Sequence, residues 1–223
     1  MILQFDLFAP YSDRLVHGIT TRQFGSFNGS EIGYGDQLKK LEEATGLRPA
    51  FPIQIHSDSI LKIVDSPKVR PEADAFVTQS KNVPIGVKSA DCQGILFFDP
   101  VRNAIAATHS GWRGSAQNII GKTVERMKSE FGTDPNDLVV GIGPSIGPCC
   151  LEFTDPEKEL PAHLHPYVKG RNLDFWSLSL DQLKGAGVKN IEIKAVCTKC
   201  NPDRFYSHRN KDTGRMALFI GLK

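Results

Sequence analysis

Short apolar runs that suit β-strands alternate with helix-like segments along this chain, without any internal repeat. Near-helical spacing of apolar residues predicts helices over 36–45, 116–131 and 175–184, each ended by a glycine. Runs rich in β-branched and aromatic residues, bounded by Gly, Pro and Asp, predict strands. These are 2–8, 17–21, 75–78, 85–88, 95–99, 104–109, 138–142, 191–196 and 216–220. Such alternation predicts an α/β fold in which mixed β-sheets are flanked by helices.

The length and composition are those of an ordinary globular protein. The chain has 223 residues, of which 40% are hydrophobic and 23% are charged, which is enough to bury a sizeable core. No linker-like segment separates two halves, and the Pro-rich stretch 156–166 is interpreted as an excursion from the fold. We therefore expect a single domain over 1–223.

Charge and hydropathy exclude several classes of partner. The net charge of +2 and the lack of a long Lys/Arg block argue against nucleic acid. No apolar stretch approaches the ~20 residues that a membrane helix needs, and no signal-peptide pattern precedes Tyr11. We expect a cytoplasmic protein without membrane contact, and the sequence does not indicate an oligomeric state.

Three residues stand out because each follows or ends a strand-like apolar run: His56, Cys92 and His109. Two imidazoles and one thiolate form a complete three-ligand set for a catalytic zinc ion, with the fourth position left to water or substrate. Metalloenzymes commonly gather such ligands from the ends of different strands. Copper is an alternative, because a site with two histidines and one cysteine can also bind copper.

The same residues fit two other classes of protein. In a cysteine hydrolase, Cys92 would be the nucleophile and His109 its base, although His56 would then be surplus. A non-catalytic module that binds a metal or a partner is the second alternative.

Arg113 lies in the string THSGWRGS, close to a predicted helix start. Free backbone N–H groups and a guanidinium at that point predict an anion site.

The other four cysteines are Cys149, Cys150 and the CxxC pair Cys197 and Cys200. A structural zinc site normally has two spaced pairs, and adjacent cysteines are not expected to face one ion. We therefore interpret these four residues as core thiols rather than as metal ligands.

Several longer strings occur in a fixed order: QIHS, EADAFVT, SADC, THSGWRG, GIGPSIGPCCLEF and AVCTKC…RFYSHR…TGR. From about residue 20 to residue 215 the chain resembles the multi-copper polyphenol oxidoreductase (laccase-domain) family, also called the YfiH or DUF152 family. That family is also described as zinc-dependent purine nucleoside enzymes. The resemblance implies a mixed α/β fold and a zinc ion held by His56, Cys92 and His109. The resemblance also identifies Arg22 as a candidate site residue, because it matches the arginine of the family motif S/T-T-R-x-G-G.

The resemblance further implies two reactions. One is phosphorolysis of adenosine, inosine, guanosine and methylthioadenosine to the base and a ribose 1-phosphate. The other is deamination of adenosine to inosine, for which zinc supplies hydroxide by lowering the pKa of a bound water to about 7. Phosphate is expected to bind Arg22 and Arg113. Asp91, beside Cys92, is expected to be a proton shuttle or, preferably, a partner that orients an imidazole.

Overall fold

The computed structural model describes residues 1–28 and 34–223. The strands in this part of the chain are β1 Ile2–Leu3, β2 Leu15–Thr20, β3 Ile60–Lys62, β4 Ala75–Thr78, β5 Ile85–Ser89, β6 Gln93–Asp99, β7 Ala104–Ser110, β8 Val139–Ile142, β9 Val168–Lys169, β10 Asn172–Leu173, β11 Asn190–Ile193 and β12 Met216–Leu222. The α-helices are α1 Tyr34–Thr45, α2 Trp112–Ala116, α3 Ile119–Phe131, α4 Pro156–Glu159 and α5 Phe175–Gly185. Short 3₁₀ helices include Asp6–Tyr11 and His208–Asn210.

The larger sheet has six strands in the order β11-β8-β6-β7-β4-β3. The pairs β3/β4 and β8/β11 are parallel and the others are antiparallel, so the sheet is mixed. All residues of β6 and β7 are buried, because both faces of this sheet are covered. Alternate residues of β6 point to opposite faces of the sheet. Ile95 and Phe97 pack with α3 and α5, whereas Leu96 and Phe98 pack toward the second sheet.

The second sheet is antiparallel, in the order β1-β2-β12-β5. Leu218 and Ile220 of β12 pack in the core shared with the six-stranded sheet. On the other face of β12, Phe219 packs with Leu41 of α1. The expected α/β fold with mixed sheets flanked by helices is confirmed. No helix in the described ranges is both long enough and apolar enough to cross a membrane.

Local structure departs from the prediction in two elements. The predicted strand 2–8 keeps only Ile2–Leu3, because the backbone N–H of Phe5 donates to His17 Nε2 (2.9 Å) and the chain then enters a 3₁₀ helix. The predicted helix 116–131 corresponds to α3, which begins three residues later, and α2 ends at Ala116. Asn118, with φ of 57°, separates them, and its side chain caps α3 by accepting from Gly121 N.

The Pro-rich stretch 156–166 leaves the sheets, as expected, and builds a smaller core. It holds α4 and the 3₁₀ helix Ala162–Tyr167, followed by the hairpin of β9 and β10, which the sequence did not predict. Leu160 and Leu164 pack with Phe175 of α5 and with Ile146. This core forms a wall beside the site described below.

Candidate metal centre

The antiparallel pairing of β6 and β7 brings Cys92 and His109 together. Cys92 immediately precedes β6, and His109 is opposite Gly94 in the register of the two strands. His56 comes from the loop before β3. Its ring is perpendicular to that of His109, with ring centroids 4.9 Å apart. The candidate ligand atoms of the three residues all lie within 4.8 Å of one another. Two of the three therefore come from strand ends and the third from a loop.

A buried carboxylate, Asp74, fixes the orientation of this group. Asp74 directly precedes β4, and the register of β4 with β7 sets it beside His109. His109 Nδ1 lies 2.8 Å from Asp74 Oδ1, which leaves Nε2 of the ring for a metal. The backbone N–H groups of His56 and Ser57 donate to the same carboxylate at 3.1 and 2.6 Å. One side chain thus positions both histidine-bearing segments.

The thiol and imidazole of the centre change each other's protonation. Burial by itself raises the pKa of Cys92, but His109 and His56 outweigh it and lower the value to about 6. Burial by itself lowers the pKa of His109, whereas Cys92 and Asp74 raise it to about 9. Cys92 is therefore a thiolate at neutral pH, and the thiolate is the form that binds metals or acts as a nucleophile.

The backbone approaches the centre closely, with unusual conformations. His56 (φ 59°) and Asp91 (φ 82°) both have left-handed backbones, which non-glycine residues adopt rarely and which cluster at functional sites. A Cβ atom on Gly111 would lie 3.1 Å from Cys92 Sγ and 3.2 Å from His56 Cδ2. Only glycine leaves the space over the ligands free.

The donor set fits a tetrahedral metal with one open position. A thiolate and two imidazoles suit zinc and also copper, and the hydrogen bond from His109 to Asp74 is the outer contact typical of metal-bound histidine. His56, Cys92 and His109 also line a cavity of about 660 Å³. A ligand in that cavity can therefore reach the open position.

The cavity is lined by both apolar and cationic side chains. Trp112, Ile146, Leu151 and Phe175 supply apolar and aromatic surface. Its volume is in the range of sites for small organic ligands. The dimensions and lining suit a flat aromatic group joined to a polar one.

Three cations from separate segments also line the cavity: Arg70, Lys88 and Arg215. Burial, together with the charges of Arg70 and Arg215, lowers the pKa of Lys88 to about 8. Arg215 is held by backbone carbonyls, among them that of Gly214 at 2.8 Å. Arg70 donates to the carbonyls of Phe51 and Pro52. A cation group of this kind is ready to bind an anion.

The two arginines predicted to bind phosphate lie in different places. Arg113 lines the cavity and is exposed, with its guanidinium 4.4 Å from the ring of Trp112. Arg22 is not among the described residues that line the cavity. Its guanidinium donates to Asp212 Oδ2 at 2.5 Å and to Phe205 O at 3.1 Å. Asp212 therefore pairs with the guanidinium, and the role of Arg22 in binding phosphate stays a prediction.

The carboxylate of Asp91 has partners other than an imidazole. Its carboxylate accepts from Thr198 Oγ1 and from Arg209 N, both at 2.7 Å, and its carbonyl accepts from Ile146 N at 2.8 Å. The hydrogen bond to an imidazole is made by Asp74 instead. Asp91 lines the cavity but ties together the loops that form its wall.

The second group of cysteines is a further correction. The sulfur atoms of Cys149, Cys150, Cys197 and Cys200 lie within 4.8 Å of one another, so adjacent cysteines do face one point. Cys149 and Cys200 are exposed rather than core residues. The interpretation as core thiols therefore fails for Cys149 and Cys200, whereas Cys197 is buried.

Sequence reasoning missed three features of the centre: Asp74, Gly111 and the cations around Lys88. A signal existed for Asp74, which is a carboxylate directly before a fully buried strand in the string EADAFVT. Gly111 follows His109 by two residues, where a small residue is needed. Nothing local marks Lys88, because its neighbours come from distant segments.

The sequence and the fold are both similar to those of known proteins. The family model described as multi-copper polyphenol oxidoreductase laccase matches residues 17–223. A protein of Clostridium acetobutylicum named purine nucleoside phosphorylase is 33% identical over 224 residues, covering 96% of this chain and 92% of that protein. One from Aquifex aeolicus with the same name is 35% identical over 195 residues, covering 85% and 91%. The crystal structure of Bacillus licheniformis YfiH is 26% identical with a TM-score of 0.85, covering 100% of this chain and 96% of the other.

Proposed function

Because this chain belongs to the multi-copper polyphenol oxidoreductase laccase family, we propose that it is a zinc-dependent purine nucleoside phosphorylase that also deaminates adenosine. The observation that carries the proposal is the joining of two sites in one cavity: the ligand set of His56, Cys92 and His109 and the cation group of Arg70, Lys88 and Arg215. Relatives at 33% and 35% identity are named purine nucleoside phosphorylases, which supports the substrate class.

Phosphorolysis requires a phosphate dianion close to the sugar. An oxygen of phosphate forms a bond to C1′, the C1′–N9 bond breaks with its electron pair going to the base, and a proton then reaches the base. We assign the dianion to Lys88 and Arg215, with Arg113 approaching from the solvent side. Charge-assisted hydrogen bonds from these groups would fix the nucleophile in place while the sugar develops positive charge.

The apolar residues that line the cavity would hold the base. Trp112 and Phe175 offer aromatic faces to a purine, and Ile146 and Leu151 exclude water from the reacting atoms. We propose adenosine, inosine, guanosine and methylthioadenosine as substrates, because the pocket contacts with the base would be mainly apolar.

We assign zinc to His56, Cys92 and His109, with copper as the alternative. When bound, zinc supplies Lewis acidity and lowers the pKa of a water ligand, which is the chemistry that hydrolytic deamination needs. Copper would add redox chemistry, whereas zinc has none. The role of the chain is to hold the three ligands, with Asp74 fixing His109.

The test is product analysis with adenosine, with and without phosphate, on protein of measured metal content. We expect adenine and ribose 1-phosphate only when phosphate is present, and inosine in either buffer. Substitution Lys88→Met should slow phosphorolysis by roughly a hundredfold and leave deamination much less affected. If no purine nucleoside yields ribose 1-phosphate, the phosphorylase assignment fails. If inosine formation requires phosphate, the deaminase assignment fails.

A cysteine hydrolase is the second candidate, favoured by the chain of contacts from Cys92 to His109 to Asp74. Alkylation of Cys92 separates the two functions, with peptide mapping to distinguish it from the exposed cysteines. As a metal ligand, Cys92 should be protected until a chelator is added. Rapid alkylation without chelator, together with activity that survives chelation, would favour the hydrolase.

A further inference from the structure

Two pairs of cysteines from segments about 50 residues apart meet in a second cluster, separate from the ligand set around His109. The bridge between Ser145 and Cys197 joins the turn after β8 to the segment after β11, and Thr198 N donates to Ser145 O at 3.0 Å. Cys200 lies 3.7 Å from Cys149 and 3.4 Å from Cys150, measured between sulfur atoms. All four sulfurs lie within 4.8 Å of one another.

These spacings are those of metal ligands rather than of bonded sulfurs. The S–S bond of a disulfide is about 2.0 Å, and none of these cysteines is bonded. Zinc–sulfur bonds of about 2.3 Å in a tetrahedron place the sulfurs roughly 3.8 Å apart. The observed distances of 3.4 and 3.7 Å therefore lie close to those of a four-cysteine zinc site.

The backbone explains how two adjacent cysteines reach one point. Cys150 N donates to Gly147 O at 2.9 Å, and Leu151 N donates to the same carbonyl at 3.0 Å, so this segment is a tight turn. In a turn, unlike a strand, neighbouring side chains do not point to opposite sides. Gly147 is needed there, because a Cβ atom would lie 3.1 Å from the Cβ of Cys197.

We propose that Cys149, Cys150, Cys197 and Cys200 bind a second, structural zinc ion. Four thiolates close the coordination shell and leave no position for a substrate. Binding releases the four thiol protons to solvent and changes no oxidation state. The proposal does not rest on the proposed function, because none of these residues lines the cavity.

The consequence of such a site is a fixed cavity wall. The segment with Cys149 and Cys150 also carries Ile146 and Leu151, and Arg209 follows the CxxC pair in the chain. All three residues line the cavity. Thr198 lies within the CxxC loop and donates to Asp91, the residue before Cys92. A metal at the cysteine cluster would therefore hold the loop that supports the first centre.

The experiment is metal analysis of protein purified under reducing conditions without added metal. We expect the double substitution Cys149→Ser with Cys200→Ser to remove about one zinc per chain. Its matched control is Cys92→Ser, which should remove the other zinc and leave the cluster loaded. The difference between variants, rather than the total, tests the cluster, so its result stays separate from that of the proposed function. Unchanged zinc content in the double variant would overturn the proposal.

A second measurement covers the case in which the double variant fails to fold. Native mass spectrometry of the Cys92→Ala protein should show the mass of one bound zinc. After exchange, cobalt in this background should give the strong absorption of a tetrahedral all-sulfur site. A metal-free mass with four titratable cluster thiols, or a disulfide among them in freshly reduced protein, would also overturn the proposal.

Discussion

Asp74 holds His109 through a 2.8 Å hydrogen bond and, with the same carboxylate, accepts the backbone N–H of His56 at 3.1 Å. The two histidines belong to segments that are far apart in the chain, and their common partner is fully buried. Burial raises the pKa of Asp74, but hydrogen bonds from His109 and Ser57 outweigh it and hold the pKa below its usual value. The carboxylate is therefore charged, and its position sets the distance between the two imidazoles.

Replacing this carboxylate should weaken the metal centre. We expect Asp74→Asn to lower metal affinity by roughly 10–100-fold, because outer partners of ligating histidines usually contribute that much. Competition with a chromophoric chelator measures the affinity. Asp58→Asn is the control, since Asp58 is a nearby aspartate whose partner is the exposed Lys122. Equal affinities for both variants would show that Asp74 does not position a ligand.

Metal binding should depend on the absence of a side chain at Gly111. We expect Gly111→Ala to reduce metal binding and activity, because the added methyl would crowd Cys92 Sγ and His56. Its backbone φ of −82° is normal for alanine, so the effect comes from the contact and not from strain. Gly185→Ala is the control, since a Cβ atom there meets nothing within 4 Å. If both variants retain metal and activity, the centre has more room than the contacts imply.

Phosphate binding should depend on the charge of Lys88. Burial, with Arg70 and Arg215, lowers its pKa to about 8, so Lys88 is cationic below that pH and neutral above it. We expect kcat/KM for phosphate to fall above pH 8, where phosphate itself is already a dianion, because this ratio reports the free enzyme. Lys88→Arg keeps the charge and should remove the fall. Identical pH profiles for wild type and Lys88→Arg would contradict this role.

The parts of the centre that the sequence predicted have local signals. Cys92 and His109 end or precede strand-like runs, and strand pairing was enough to bring them together. Asp74 and His109 are 35 residues apart, and their contact depends on the register between β4 and β7, which no local pattern encodes. Lys88 likewise needs Arg70 and Arg215 from other segments before it has a role.

Two features depend on contacts that no single residue encodes. Adjacent cysteines were expected to diverge, as on a strand, but Cys149 and Cys150 lie in a turn whose hydrogen bonds to Gly147 the sequence does not specify. Arg22 carries a charge that suits phosphate. Its partner Asp212 is 190 residues away, and only the tertiary structure shows this ion pair.

Arg22 should therefore act through the loop that it holds and not through phosphate. Asp212 accepts from Arg22 and from Ser207 N at 2.8 Å, and the 3₁₀ helix that follows Ser207 carries His208 and Arg209 into the cavity wall. We expect Arg22→Ala and Asp212→Asn each to lower stability, with a coupling of about 1–2 kcal/mol between them, because the pair is only partly buried.

The kinetic pattern separates this positioning role from phosphate binding. Arg22→Ala should lower kcat for phosphorolysis and deamination to a similar extent, since both proposed reactions would use the same cavity wall, whereas Lys88→Met should affect phosphorolysis much more than deamination. Arg22→Lys should restore part of the activity, because an ammonium can still pair with Asp212 but lacks the fork geometry of a guanidinium. Thermal unfolding of the two single variants and the double variant measures the coupling. A large rise in the KM for phosphate in Arg22→Ala, with deamination unchanged, would return Arg22 to the role of phosphate ligand.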